Sequence, residues 1–361
     1  MIKDRTIFIK NIYYMLSYAF LNLKQKGYAD IAVEQFDNIQ NLFAAILARG
    51  ISLQVKHGLY RRYVNQQDNI STLQGKLNMH ETIKNKLQRK QKLSCEFDVL
   101  SENNLHNQIL KTTVILLLKY AKVKDCYKDD LRKVLLYFAE IDIVEPSSIR
   151  WSMIRFQRNN QSYRLLIGIC ELLIKGLLLT TDKGTYKFAT FLDEQRMCRL
   201  YEKFILEYYR QHYPSVSANA AQIPWALDDG KAFMLPKMQS DIMLRQGNRV
   251  LIIDAKYYSH TTQMHFDKRT LLSHNLYQIF TYVKNYDYSF HDSEHVVSGM
   301  LLYAKTEEDI QPDNIYHMHG NKISVKTLDL NKHFDVIKQQ LDEIFAAYFF
   351  VRTNKLSASP A

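Results

Sequence analysis

Glycine and proline are scarce, 11 and 6 residues in 361, which excludes collagen-like repeats and Pro/Gly-rich disorder. Cysteine is scarcer still. Cys95, Cys126, Cys170 and Cys198 lie far apart, with no Cys-x-x-Cys pair and no histidine at zinc-finger spacing. They read as reduced, small hydrophobic side chains of a cytoplasmic protein. No apolar run is long and clean enough to span a membrane. Ser17 and Asn22 interrupt residues 12–23, and Glu171 and Lys175 break residues 165–179. The first run has no small-residue cleavage site after it and reads as a buried amphipathic helix, so no membrane partner is expected. A Gly-rich phosphate loop, the pattern G-x-x-x-x-G-K-[ST] and internal repeats are all missing, so this chain is not expected to hydrolyse a nucleotide itself.

What is present suits a folded protein of two domains. The length exceeds one ordinary core, and 47% hydrophobic with 24% charged residues is the balance of a globular chain. Lys and Arg exceed Asp and Glu by 48 − 37 = 11, which suits a polyanionic partner, although a solvated basic surface spread along the chain has the same total.

Apolar spacing of helical type recurs at 11–23, 34–49, 104–121, 129–140 and 163–178, with strand-like pieces at 58–64 and 73–79 separated by polar turn material at 65–71. The first half is therefore expected to be mainly helical with short strands. The polar run near 180–190 reads as a turn and places a domain boundary at 185/186. Beyond it the order is a helix (193–212, with Met197, Leu200, Tyr201, Phe204, Ile205 and Tyr208 as its buried stripe), a strand pair (241–245 and 250–256) and a helix (273–284). Strands at 296–304 and 323–328 and a helix at 333–351 follow. That order predicts an α/β (α+β) fold whose second domain is a mixed sheet flanked by helices. The tail 357–361 is expected to fray.

The strand pair carries the chemistry. A two-residue turn at Gly247-Asn248 sets residue 246 against 249 and, continuing outward, Asp241 against Asp254. Period-2 alternation puts Lys256 on the face that Asp254 occupies. Facing carboxylates destabilise an antiparallel pair. A divalent cation removes that penalty, and Mg²⁺ (or Mn²⁺) takes one or two carboxylates together with waters and phosphate oxygens, so Asp241, Asp254 and the backbone carbonyl of Ala255 are candidate ligands. Lys256 can position a water and stabilise charge on a phosphate, which together with a metal is the chemistry of phosphodiester hydrolysis. The alternative is an exposed ion pair at a strand end, against which stands the apolar run at 250–253. The other [DE]-x-K match, Asp229-Gly230-Lys231, falls in a turn-like loop. Asn275, Gln278 and Tyr282 share one face of the following helix, where they either serve the site or are simply solvated, and Glu202 either reaches the metal or its water or pairs on the surface. His260, His265 and His274 match no ligand spacing, while Lys268 and Arg269 either contact phosphate or are solvated.

Ser240-Asp241, Asp254-Ala255-Lys256 and Gln278-x-x-x-Tyr282 together resemble the PD-(D/E)xK nuclease superfamily, with Ser240 in place of the usual proline. Over most of its length the chain is similar to the McrC family of nuclease subunits of 5-methylcytosine-specific restriction systems. The likeness runs through Asn11-Ile12-Tyr13-Tyr14-Met15-Leu16, Gly75-Lys76-Leu77, Phe97-Asp98-Val99-Leu100, Leu200-Tyr201-Glu202-Lys203-Phe204, Asp254-Ala255-Lys256-Tyr257-Tyr258 and Asn275-Leu276-Tyr277-Gln278. The resemblance implies a division of labour. Residues 1–185 would bind a McrB-like AAA+ GTPase ring and stimulate its GTP hydrolysis, GTP entering only through that partner. Residues 186–361 would cut double-stranded DNA whose methylation the partner reads. The competing expectations are an adaptor that activates the motor with little or no nuclease activity, and a stand-alone DNA-repair or RNA-processing nuclease.

Overall fold

The computed structural model describes residues 3–4, 7–20, 28, 31, 34–176, 178–180, 186–188, 194–265, 268–290 and 294–350. The chain forms two compact units. One is discontinuous (Met1–Lys24, Ala32–Ile39 and Thr190–Ala361), and the other is inserted into it (Gln25–Ile31 and Gln40–Ala189). This differs from a single division at 185/186. A short antiparallel pair, β1 (Lys3–Asp4) and β2 (Ile7–Phe8), leads into helix α1 (Ile9–Ala19), and these belong with the C-terminal half. The reason is long-range. The buried Asn11 side chain donates to the carbonyl oxygens of Leu330 (2.7 Å) and Lys332 (2.8 Å), and the Tyr14 ring stacks on Phe334. Composition along the chain does not register a helix that returns to a partner three hundred residues away. The expected linker at 180–190 falls largely, and the tail 357–361 wholly, outside the described residues.

The inserted unit contains α2 (Ile39–His57), β3 (Arg62–Ile70), β4 (Lys76–Leu77), α3 (Met79–Leu87), β5 (Leu93–Ser101), α4 (Leu105–Tyr120), α5 (Asp125–Leu135), α6 (Tyr163–Gly176), β6 (Leu178–Thr180) and β7 (Tyr186–Phe188). Asparagine caps open α3 and α4: Asn78 Oδ1 accepts from Glu81 N–H and Asn104 Oδ1 from Asn107 N–H. Two expectations are corrected here. The stretch 65–71 is strand rather than turn as far as Ile70, paired with β5 from Arg62↔Ser101 to Ile70↔Leu93, and these strands are nine residues long, not short. Almost every β3 residue is exposed, so the apolar alternation that reveals a half-buried strand is absent. Gly75, at φ +64°, lets β4 approach β5. A Cβ there would lie 2.4 Å from the Glu96 carbonyl oxygen.

In the discontinuous unit, α7 (Glu194–His212) buries the expected stripe, Met197 through Tyr208. Strands β8 (Ser217–Asn219), β9 (Gln222–Ile223), β10 (Met238–Gln239), β11 (Ile242–Gln246) and β12 (Arg249–Lys256) follow. Next come a hairpin, β13 (Thr262–His265) and β14 (Lys268–Leu271), and helix α8 (Ser273–Tyr288). Strands β15 (Val296–Ala304), β16 (Asn314–Met318) and β17 (Asn321–Leu328) and helix α9 (Phe334–Phe349) complete the unit. Six strands make one mixed sheet in the order β16-β17-β15-β12-β11-β8, with β12, β15 and β17 mutually parallel. Strands β12 and β15 read as largely apolar runs because they are buried on both faces, whereas β17 mixes apolar and polar residues. Helix α8 packs close to β15 over Gly299, where a Cβ would meet Val283 at 2.7 Å and Ile279 at 2.9 Å. That close approach brings the polar face of α8 to the end of β12.

Candidate active site

The β11–β12 hairpin turns at Gly247 and Asn248, with Gln246↔Arg249 and Ile242↔Ile253 as its first and last paired positions. One step beyond, the register sets Asp241 opposite Asp254, as the turn chemistry requires. Ser240 is buried and staples this end. Its hydroxyl accepts from the Ala221 amide (3.2 Å), and its own N–H donates to the Ala221 carbonyl (3.0 Å).

Asp254 is 1% exposed, and the Lys256 ammonium stands 2.8 Å from its Oδ2. This is a close ion pair, the one described positive charge set directly against Asp254. With the Lys256 side chain 12% exposed, an exposed ion pair does not describe this site. Burial opposes the charge on Lys256, but the Asp254 and Asp241 carboxylates outweigh it and hold the amine above its usual range. Asp241 Oδ2 accepts from the Ala255 N–H (2.9 Å). Burial, reinforced by Asp254 and then Glu202, pushes its carboxyl up to about 8.

These residues fit a hard divalent cation. Asp254 presents buried oxygens paired with the Lys256 ammonium at 2.8 Å, and Asp241 lies opposite. The Ala255 carbonyl points to the same edge of β12 as its N–H, toward Asp241, because the two main-chain groups of one strand residue share a side. Among the described residues there is no group of three or more His, Cys, Asp or Glu side chains that could hold a metal, so a cation here would have only the two carboxylates and the carbonyl as protein donors. Such a set suits Mg²⁺, which retains several waters.

Helix α8 supplies the next layer. Lys256 Nζ donates to Gln278 Oε1 (3.3 Å), and Gln278 Nε2 donates to the Tyr282 hydroxyl (2.9 Å). The face carrying Asn275 and Tyr282 is buried against the site rather than solvated. Glu202 on α7 accepts from the Cys198 thiol (3.0 Å), and burial raises its carboxyl, with Lys256 and Asp254 near enough to act on it. It is not a simple surface pair. Two residues carry no local signal in the sequence. Tyr303 lies beside Lys256 in the β12–β15 register and accepts from Asn275 Nδ2 (2.8 Å), yet its strand reads as uniform core. Glu308 accepts from Thr261 N–H, both Thr261 and Thr262 hydroxyls and the Thr306 hydroxyl, tying the base of the β13–β14 hairpin to the loop after β15. Of the histidines, His260 lines a cavity next to the site and His274 is exposed, while the side chains of His265 and Lys268 lie outside the described residues.

No helix among the described residues is long and apolar enough to cross a membrane. A family model described as McrBC 5-methylcytosine restriction system component matches residues 4–304. The type IV methyl-directed restriction enzyme EcoKMcrBC of Escherichia coli K12 is 26% identical over 344 residues, which cover 94% of this chain and 97% of that protein. Among solved structures, a half-complex from the tetradecameric assembly of Thermococcus gammatolerans McrB AAA+ hexamers with bound McrC aligns with a TM-score of 0.50 at 19% identity. The alignment covers 92% of this chain and 76% of that one, and it is a likeness of fold. The chain belongs to the McrBC 5-methylcytosine restriction system component family.

Proposed function

We propose that this chain is the DNA-cutting subunit of a GTP-dependent, modification-specific restriction complex, a PD-(D/E)xK-type nuclease that uses Mg²⁺ or Mn²⁺. The observation that carries the reading is Asp254, a buried carboxylate paired with Lys256 and facing Asp241 across the hairpin. A divalent cation bound there would polarise a phosphate and lower the pKa of a water. The chain's own residues do the rest. Asp241 and Asp254 would hold the cation together with the Ala255 carbonyl, and the Ala255 N–H fixes the Asp241 carboxylate. Lys256 stays protonated and sets its charge against the phosphate as negative charge develops. Gln278, held by Tyr282, keeps the ammonium of Lys256 in place, and Glu202 is placed to orient a water.

Family membership supports a partner. The related Thermococcus chain is described as bound to McrB AAA+ hexamers, and the present chain has no phosphate-binding loop in its sequence. We assign GTP hydrolysis and the reading of methylated double-stranded DNA to a McrB-like ring, whose GTPase this chain stimulates.

The test is DNA cleavage by the complex assembled with Lys256→Ala or Asp254→Ala. Loss of about a hundred- to thousandfold in rate, with folding and partner binding retained, is expected. Full cleavage by either variant complex overturns the assignment.

A further inference from the structure

Two cavities flank the β13–β14 hairpin, and Arg269 and Thr262 line both. They differ in their acidic lining. The larger, about 820 Å³, begins at Tyr257 and Tyr258 directly after Lys256, and its wall carries four carboxylates: Glu194, Glu307, Glu308 and Asp309. The smaller, about 500 Å³, runs along the first turns of α8 past Ser273 and Tyr277 toward β16, and no acidic residue lines it. Its wall includes the Gln263 and Asn314 amides and the Ser273 hydroxyl, none of which has a hydrogen-bond partner among the described residues, and the exposed Arg269 guanidinium, which makes no described ion pair. Leu276 and Tyr277 on this wall immediately precede Gln278, which holds Lys256.

A phosphodiester backbone carries one negative charge per nucleotide. A wall of carboxylates repels it, whereas a guanidinium with neutral donors beside it matches phosphate oxygens and positions a duplex without reading its bases. Resting on the nuclease reading above, we infer that the α8-side groove holds the backbone of the duplex DNA being cut, with Arg269 as its phosphate contact. The carboxylate-lined cavity across the hairpin acts as an electrostatic wall that prevents the strand from taking the other side. Glu308 is the positioning residue of this arrangement. Its four hydrogen bonds hold the hairpin base, so Arg269 is presented between the cavities instead of swinging with a free loop.

Binding of a labelled DNA duplex to the full-length chain, measured by fluorescence anisotropy with Ca²⁺ replacing Mg²⁺ across a series of salt concentrations, tests this. Arg269→Gln is expected to weaken binding about tenfold at low salt and to lower the slope of log K against log salt by about 0.9, the loss of one phosphate contact. Glu307→Gln combined with Asp309→Asn is expected to leave binding unchanged or tighten it. Arg269→Gln with unchanged affinity and slope overturns the inference, as does weaker binding by the double variant or a wild-type chain that binds no duplex. Because the readout is binding, it fails separately from the nuclease assignment, which fails only if the Asp254 or Lys256 variants still cut.

Discussion

Lys256 and Gln278 show how one side chain serves a site through another. The Lys256 ammonium lies between Asp254 and the Gln278 amide oxygen, and Gln278 is in turn fixed by Tyr282. Gln278→Ala removes the neutral member of this cradle and leaves both charges. The expected result is a fall of about tenfold in single-turnover cleavage with little change in DNA affinity, because misplacement of a catalytic group lowers the rate more than binding. Asp241 gives a pH signature. Its carboxyl is raised from 3.8 to about 8 by burial and by Asp254 and Glu202. Without metal, its contribution to stability is therefore fully present below 3.8 and is lost as pH rises through about 8. A cation must displace the proton, so Mg²⁺ affinity, followed by calorimetry, is expected to climb as pH rises toward about 8 and then level.

Among the elements, the β11–β12 hairpin was the most legible in the sequence. A Gly-Asn turn between apolar runs fixes register, and register alone sets Asp241 against Asp254. Strand β3 was illegible for the opposite reason: it is polar and exposed, and only its pairing with β5 makes it a strand. The Glu308 clamp was also invisible, since its donors at Thr261 and Thr262 lie 46 to 47 residues away and no local pattern links them. Burial works against the Glu308 charge, but the hydrogen bonds from Thr262, Thr261 and Thr306 outweigh it and lower the carboxyl to about 2, from 4.5. A lowered acid stabilises the fold above 4.5, and that stability is lost as pH falls through about 2. Protection of the hairpin-base amides against hydrogen exchange is therefore expected to persist at mildly acidic pH in the wild type and to be lost in Glu308→Ala. Equal protection in the two would contradict the clamp.

At the scale of the molecule, one compact unit takes both ends of the sequence and the other is inserted into it, an arrangement that a single cut at 185/186 does not describe. Helix α1 sits at the start of the sequence, yet it is built into the unit that carries the candidate site. Asn11→Ala deletes one buried and one part-buried hydrogen bond to main-chain carbonyls and is expected to destabilise that unit by about 1–3 kcal/mol, seen as a lower Tm for the unfolding of the C-terminal half. Unchanged thermal unfolding would mean that α1 is an accessory.

The central claim is that Asp241 and Asp254 face one another in order to hold a divalent cation. Titration of the full-length chain with Mn²⁺, followed by calorimetry, tests it most directly. Saturable binding by the wild type that is abolished in Asp254→Asn and strongly weakened in Asp241→Asn is the expected result, and wild-type binding retained by Asp254→Asn would contradict the account.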